Sequence, residues 1–220
     1  MFVKFSDLTR TLPTLIAKGE LKEVIGMGAK RLYSNRTDYL LRRDLSAPLA
    51  KRPQAKIPIQ LRELRETDVA KVIKHVPGRL PAFKAGLRTC YVAVNEHDDI
   101  CYMQWLIDSS QNHLRPRNVG LVLKPDERLL EWAYTFEEFR GLGIMACAMA
   151  EIAERGILTG ARWGLTLVEK DNIASLKGCR NAGFRPYQVR EERWRALRLI
   201  QSYAPLPSNA LYSFESEAGA

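Results

Sequence analysis

From Ile57 to Leu64 apolar and polar residues alternate, with Ile57, Ile59 and Leu61 against Pro58, Gln60 and Arg62, and this pattern predicts a half-buried strand. Arg65-Glu66-Thr67-Asp68 then opens a helix at or just before Asp68. Pro77 to Ala85 reads as loop and short helix. Arg88 to Val94 and Ile100 to Ile107 read as two strands joined by the polar turn Asn95-Glu96-His97-Asp98-Asp99. After a polar loop at Asp108 to His113, a short strand is expected at Asn118 to Leu123, followed by a turn at Pro125-Asp126. The strongest pattern is strand, glycine turn, helix: aromatic and aliphatic residues from Leu129 to Phe136, then Arg140-Gly141-Leu142-Gly143, then an Ala/Met/Cys run from Ile144 to about Leu158. Trp163 to Val168 is the next strand, Asn172 opens a short helix, and Phe184 to Arg190 begins another strand. Strands followed by helices, with hairpins early on, predict an α/β (α+β) fold with a mixed sheet.

The N-terminal region reads differently. From Pro13 to Leu32 the apolar positions Leu15, Ile16, Leu21, Val24, Ile25 and Met27 fall mostly on one helical face, although Gly19, Gly26 and Gly28 weaken the helix. Ser46 to Pro58 carries three prolines and three basic residues and reads as a linker. Net charge sharpens the division: of the total of +9, residues 1–56 carry +7 and the remainder +2. The expected organisation is a basic N-terminal extension over 1–56, a main domain over 57–204 and a tail over 205–220. The extension would dock on the domain or meet an acidic partner or an anionic membrane surface.

Composition excludes several classes. With 46% hydrophobic and 27% charged residues over 220 positions, the chain is ordinary for a soluble domain. No run of eighteen apolar residues and no leader pattern occurs, so a cytoplasmic location is expected. Cys90, Cys101, Cys147 and Cys179 form no Cys-x-x-Cys pair and His75, His97 and His113 do not cluster, so neither a metal nor a disulfide framework is expected. Basic charge without a recognised motif or basic-aromatic stripe argues against nucleic acid. Self-association into a homodimer is left open.

The glycine turn is the candidate for chemistry. Glycines let backbone approach an anion, and the first N–H groups of the following helix are unpaired at the positive end of its dipole. A second motif follows: Asn172, Ser175, Leu176, Lys177, Cys179 and then Gly183-Phe184. Together the two resemble the GNAT family of acyl-coenzyme A N-acyltransferases over about residues 57–190, and look like bacterial members of uncertain substrate. The resemblance implies a mixed, mostly antiparallel sheet flanked by helices. It implies acetyl-CoA as acyl donor, held by Arg140, Gly141, Leu142, Gly143, Ile144 and Met145, with Asn172 and Ser175 flanking its pantetheine arm. It implies an oxyanion met by backbone N–H of the key strand, marked by Thr135 and Phe136. The chain departs from the family at Met145, where the loop usually ends in Gly or Ala, and at Cys179, where a tyrosine commonly protonates the departing thiolate.

Amide formation from a thioester needs a neutral amine, an oxyanion stabiliser and a proton acceptor. Period two places Leu130, Trp132, Tyr134 and Phe136 on one face of the key strand, read as core, and Leu129, Glu131, Ala133 and Thr135 on the other. Glu131 is therefore the leading general base; the bland alternative is a carboxylate paired with an arginine. Cys179 is a candidate acid or simply packs, and Tyr134 is a second candidate acid whose face argues for core. Tyr102 and His113 lie near the substrate side by family analogy alone. The expected function is transfer of acetyl from acetyl-CoA to a primary amine in a ternary complex. The alternatives are an acidic acyl carrier protein as donor, drawn by the basic segment, and a non-catalytic acyl-CoA-binding module.

Overall fold

The computed structural model describes residues 32–87, 89–115 and 120–210. The strands are β1 (Tyr33–Asp44), β2 (Gln60–Glu63), β3 (Cys90–Val94), β4 (Ile100–Ile107), β5 (Glu127–Thr135), β6 (Trp163–Glu169), β7 (Arg185–Arg195) and β8 (Arg198–Pro205). The helices are α1 (Glu66–His75), α2 (Leu80–Lys84), α3 (Ile144–Arg155) and α4 (Ile173–Asn181). All eight strands join one sheet in the order β2-β3-β4-β5-β6-β1-β7-β8. Every pairing is antiparallel except β5 with β6. The mixed, mostly antiparallel sheet expected from sequence is therefore present.

Each face of the sheet buries its own core. On one, Leu41, Tyr91, Tyr102 and Leu130 meet Ile144, Met149 and Ile152 of α3 and Leu176 and Cys179 of α4. On the other, Val92, Met103, Trp105 and Leu129 meet Val72 of α1 and Ala82 of α2. Both faces being covered explains why β4 is buried along its whole length and reads as a continuous apolar run.

Three sequence expectations are corrected. Residues 1–56 do not stand wholly outside the domain: β1 lies inside the sheet between β6 and β7. Its charges hid it. Asp38 is fully buried on the guanidinium of Arg190, and Arg43, 4% exposed, donates to the carbonyls of Ala150 and Ala182 at 3.3 Å and to Glu154 at 2.9 Å. The amphipathic helix expected from Pro13 onward lies outside the described residues. Second, β7 runs on to Arg195 and turns back into β8, a strand that the sequence pattern does not mark. The turn residues Ala196 and Leu197 both sit at positive φ (46° and 67°) with Arg195 opposite Arg198, so the usual Asn-Gly signal is missing. Third, residues 120–123 pair with no strand; Leu123 instead exchanges two hydrogen bonds with the Asn112 side chain, each 3.0 Å.

The linker from β1 to β2 crosses the α3/α4 face, where Leu45, Leu49, Ala55, Ile57 and Ile59 pack on the core. It reaches the start of α3, where Lys56 N–H donates to Leu142 O at 2.8 Å. Arg43 is the tie that makes this layer possible, joining the strand to both helices. Arg43→Ala is expected to lower stability by about 2–3 kcal/mol, because two carbonyls and one carboxylate lose a buried donor. Arg193→Ala, which removes an exposed pair with Glu191, should change it by less than about 0.5 kcal/mol. Urea denaturation midpoints of the two variants check the contrast.

Candidate active site

The site begins with a fork. β5 and β6 pair only at Glu127↔Trp163, Arg128↔Gly164 and Leu129↔Leu165. Thr166 Oγ1 donates to Leu130 O at 2.8 Å, and beyond that point β5 runs on to Thr135 and β6 to Glu169 without pairing to each other. Phe136 N–H is spent on Cys101 O (3.0 Å), so by the alternation of an antiparallel ladder Thr135 N–H turns away from β4 into the fork. Of the two peptide groups expected there, Thr135 is available and Phe136 is not.

At the fork β5 carries a bulge. Its register against β4 shifts between Met103 and Trp105, and Trp132 takes φ +56°, a conformation unusual for a bulky residue. The extra residue overturns the simple face assignment. Glu131 lies opposite Trp105 and so shares the α1/α2 face with Leu129, Trp132 and Tyr134, whereas Leu130 and Ala133 face α3. Trp132 meets Trp105 edge-on at 5.5 Å, and Tyr134 meets Phe136 edge-on at 5.2 Å. Tyr134 thus packs as its aromatic pattern suggests, on Glu131's side of the sheet.

The Glu131 side chain is 16% exposed. Burial pushes its carboxyl above the ordinary range, and the cations Arg115, Arg190 and Arg79 pull it back only in part. Arg115 Nε stands 3.8 Å from Glu131 Oε2, an ion pair without a hydrogen bond. The three arginines come from the α1–α2 connection, the loop after β4, and β7. Sequence reasoning found the carboxylate but none of these cations, because no local motif links residues 79, 115 and 190.

On the opposite face the glycine turn leads into α3. Gly141 (φ 76°) and Gly143 (φ 73°) are left-handed, and Gly143 is the helix N-cap with no side-chain cap, so the first N–H groups of α3 are free by geometry. A Cβ at Gly141 would meet nothing within 4 Å, whereas one at Gly143 would stand 3.0 Å from Gln54 O. The crossing linker therefore forms one wall of the turn and brings exposed Lys56 beside it, a cation that its place in a proline-rich basic linker concealed. Arg140 is turned back on β5, with Nε on Thr135 O at 3.3 Å and Nη1 3.4 Å from Glu137. Leu142 and Ile144 pack into the α3 core.

Both departures from the family pattern have packing reasons. The Met145 sulfur lies against Gly178 of α4, where an added Cβ would stand 2.8 Å from it. Cys179 is 1% exposed with its sulfur 3.7 Å from Met149, and burial pushes its thiol up to about 12. Asn172 caps α4 by accepting from Ser175 N–H at 3.1 Å, so this Asn-x-x-Ser spacing is a helix start. Tyr102 is fully buried and donates to Gln104 at 2.7 Å, and His113 lies exposed with Nδ1 2.8 Å from Ser110 O. Among the described residues no helix is long and apolar enough to cross a membrane.

No protein-family model and no curated protein matches the sequence. Solved structures do match. A GCN5-related N-acetyltransferase from Sphaerobacter thermophilus aligns at TM-score 0.55 and 13% identity, over 79% of this chain and 57% of the other. A GNAT-family acetyltransferase from Colwellia psychrerythraea aligns at 0.52 and 11%, over 91% and 74%. A tandem GNAT protein from the clavulanic acid biosynthesis pathway aligns at 0.50 and 15%, over 78% and 55%. The chain spans little more than half the length of the first and third of these. Its mixed sheet, opened between β5 and β6 and followed by a glycine turn into α3, is the GNAT fold.

Proposed function

We propose that the chain is an acyl-CoA-dependent N-acyltransferase that moves an acetyl group to a primary amine by direct attack in a ternary complex. The observation that carries this reading is the fork itself: an unpaired stretch of β5 with an uncapped helix start on one face and a buried carboxylate on the other. The turn fits a pyrophosphate, since Gly141 leaves open space, the α3 N–H groups are uncapped, and Lys56 stands beside it. Acyl-CoA, when bound, would supply the thioester carbon that the amine attacks; as the C–S bond breaks, the departing sulfur takes the second proton given up by the nitrogen and leaves as the free thiol.

Glu131 takes a proton from the incoming ammonium, directly or through water, because burial raises its carboxyl and makes its carboxylate a stronger base than an exposed one. Thr135 N–H, turned into the fork, meets the carbonyl oxygen as negative charge develops on it. Cys179 holds its proton too tightly and too deep in the core to serve as acid, and its role is packing. Met145 and Cys179, where the chain departs from the family pattern, both pack between α3 and α4, and the proposed proton transfers use neither.

Glu131→Gln should preserve fold and coenzyme affinity and lower kcat by about 10² to 10⁴, the span usual for loss of a general base. In the wild type kcat/KM should rise with pH as Glu131 ionises. Arg79→Met should move that limb to higher pH, because removing a cation disfavours the carboxylate. Steady-state rates against pH check both, and an active Glu131→Gln enzyme would refute the assignment. Gly141→Asp has room for its side chain, and Asp tolerates left-handed backbone better than most residues. It should weaken coenzyme A binding at least tenfold, about 1.4 kcal/mol, by calorimetry.

A further inference from the structure

The α1/α2 side of the fork holds more positive charge than its carboxylates neutralise. Asp38 is already engaged by Arg190, at 2.6 and 3.1 Å, and by Arg36 at 2.7 Å. That leaves Glu131 facing Arg115 and Arg79. Arg115 is the more deeply placed, its side chain 3% exposed. Its Nη1 donates to Leu121 O at 2.6 Å, which fixes the guanidinium, while among the described residues Nε and Nη2 are buried without a hydrogen-bond partner. Glu131 Oε2 and Arg79 Nε are likewise buried without one.

A structural ion pair would have closed. A carboxylate serving only to neutralise Arg115 would meet it at about 2.7–2.9 Å through two parallel N–H groups. Here the approach stops at 3.8 Å. Leaving a buried guanidinium edge unpaired is costly, so a site that keeps one is suited to an anion arriving from outside. Nε–H and Nη2–H lie on the same edge of the planar group and match the two oxygens of a carboxylate. The coenzyme phosphates do not compete for it, because the glycine turn and α3 lie on the other face of the sheet.

Building on the acyltransferase reading above, we propose that the acceptor is an amino acid: a primary amine whose own carboxylate docks on the Nε/Nη2 edge of Arg115, with Arg79 as second cation. The short distance from that edge to Glu131 then sets the spacing. An amine presented to Glu131 carries its carboxylate only a few bonds from the nitrogen, as α- and β-amino acids do.

The test uses the full chain with acetyl-CoA and two matched panels: standard L-amino acids with their C-terminal amides, and 2-aminoethyl phosphate with ethanolamine. Release of free thiol is followed for each. At least one amino acid should exceed its amide by 10²-fold or more in kcat/KM, and Arg115→Met should reduce that ratio to within about tenfold of unity, chiefly through KM. Arg79→Met, at a less buried position, should reduce it in part. Turnover favouring neutral amines, or a ratio unchanged in Arg115→Met, would overturn the amino-acid acceptor while leaving N-acyl transfer standing. Preference for 2-aminoethyl phosphate over every amino acid would replace the carboxylate with a phosphate and overturn the proposal in that form. A binding arm is independent of turnover: N-acetyl amino acids should raise the melting temperature of the wild type and their amides should not. Absence of that difference overturns the inference even if no amine is acylated, and absence of all turnover with the difference present counts against the acyltransferase reading alone.

Discussion

Two parallel neighbours, β5 and β6, pair for three residues and then part, and the rest of the site follows from that separation. An unpaired strand segment inside a sheet leaves backbone donors and acceptors that must find other partners or remain a cost. Thr166 closes the apex of the fork with its hydroxyl on Leu130, and Arg140 reaches back to the Thr135 carbonyl. The Thr135 N–H is left turned into the opening. The bulge at Trp132 provides the geometry: one extra residue bends the strand, and edge-on packing of Trp132 against Trp105 offsets part of the strain of a left-handed tryptophan.

The sheet also separates two kinds of electrostatics that would interfere if they shared one face. On the α3 side the groups offered to an anion are backbone N–H dipoles at an uncapped helix start, with Lys56 brought alongside by a crossing segment. On the α1/α2 side full charges are buried together, and burial outweighs attraction for Glu131: its carboxyl is raised despite three arginines nearby. The reason is distance. The nearest guanidinium nitrogen is 3.8 Å away and donates no hydrogen bond, whereas Asp38, at 2.6 Å from Arg190, is fully engaged.

What holds the site in place is a strand that the charge pattern disguises. β1 supplies Asp38 to one face and Arg43 to the other, so the same twelve residues orient Arg190 near Glu131 and tie α3 and α4 to the sheet. The linker that follows must cross from the middle of the sheet to its β2 edge, and the covalent continuity of that path is what lays Gln54 and Lys56 against the glycine turn.

The sequence by itself determined the elements whose signals are local. Alternation marked β2, two apolar runs about a polar turn marked β3 and β4, the glycines at 141 and 143 marked the turn into α3, and Asn172 marked the start of α4, because caps, turns and periodicity act within a few residues. It singled out Glu131 as well, as a carboxylate on a strand of aromatic and aliphatic residues. Only the tertiary structure decided the rest. Asp38 and Arg43 read as solvated charge until partners more than a hundred residues away bury them, and the bulge that moves Glu131 to the α1/α2 face depends on pairing with β4. The arginines at 79, 115 and 190 meet Glu131 through three separate connections. Their convergence is a property of the packed sheet, since interactions that depend on desolvation and distance leave no pattern along the chain.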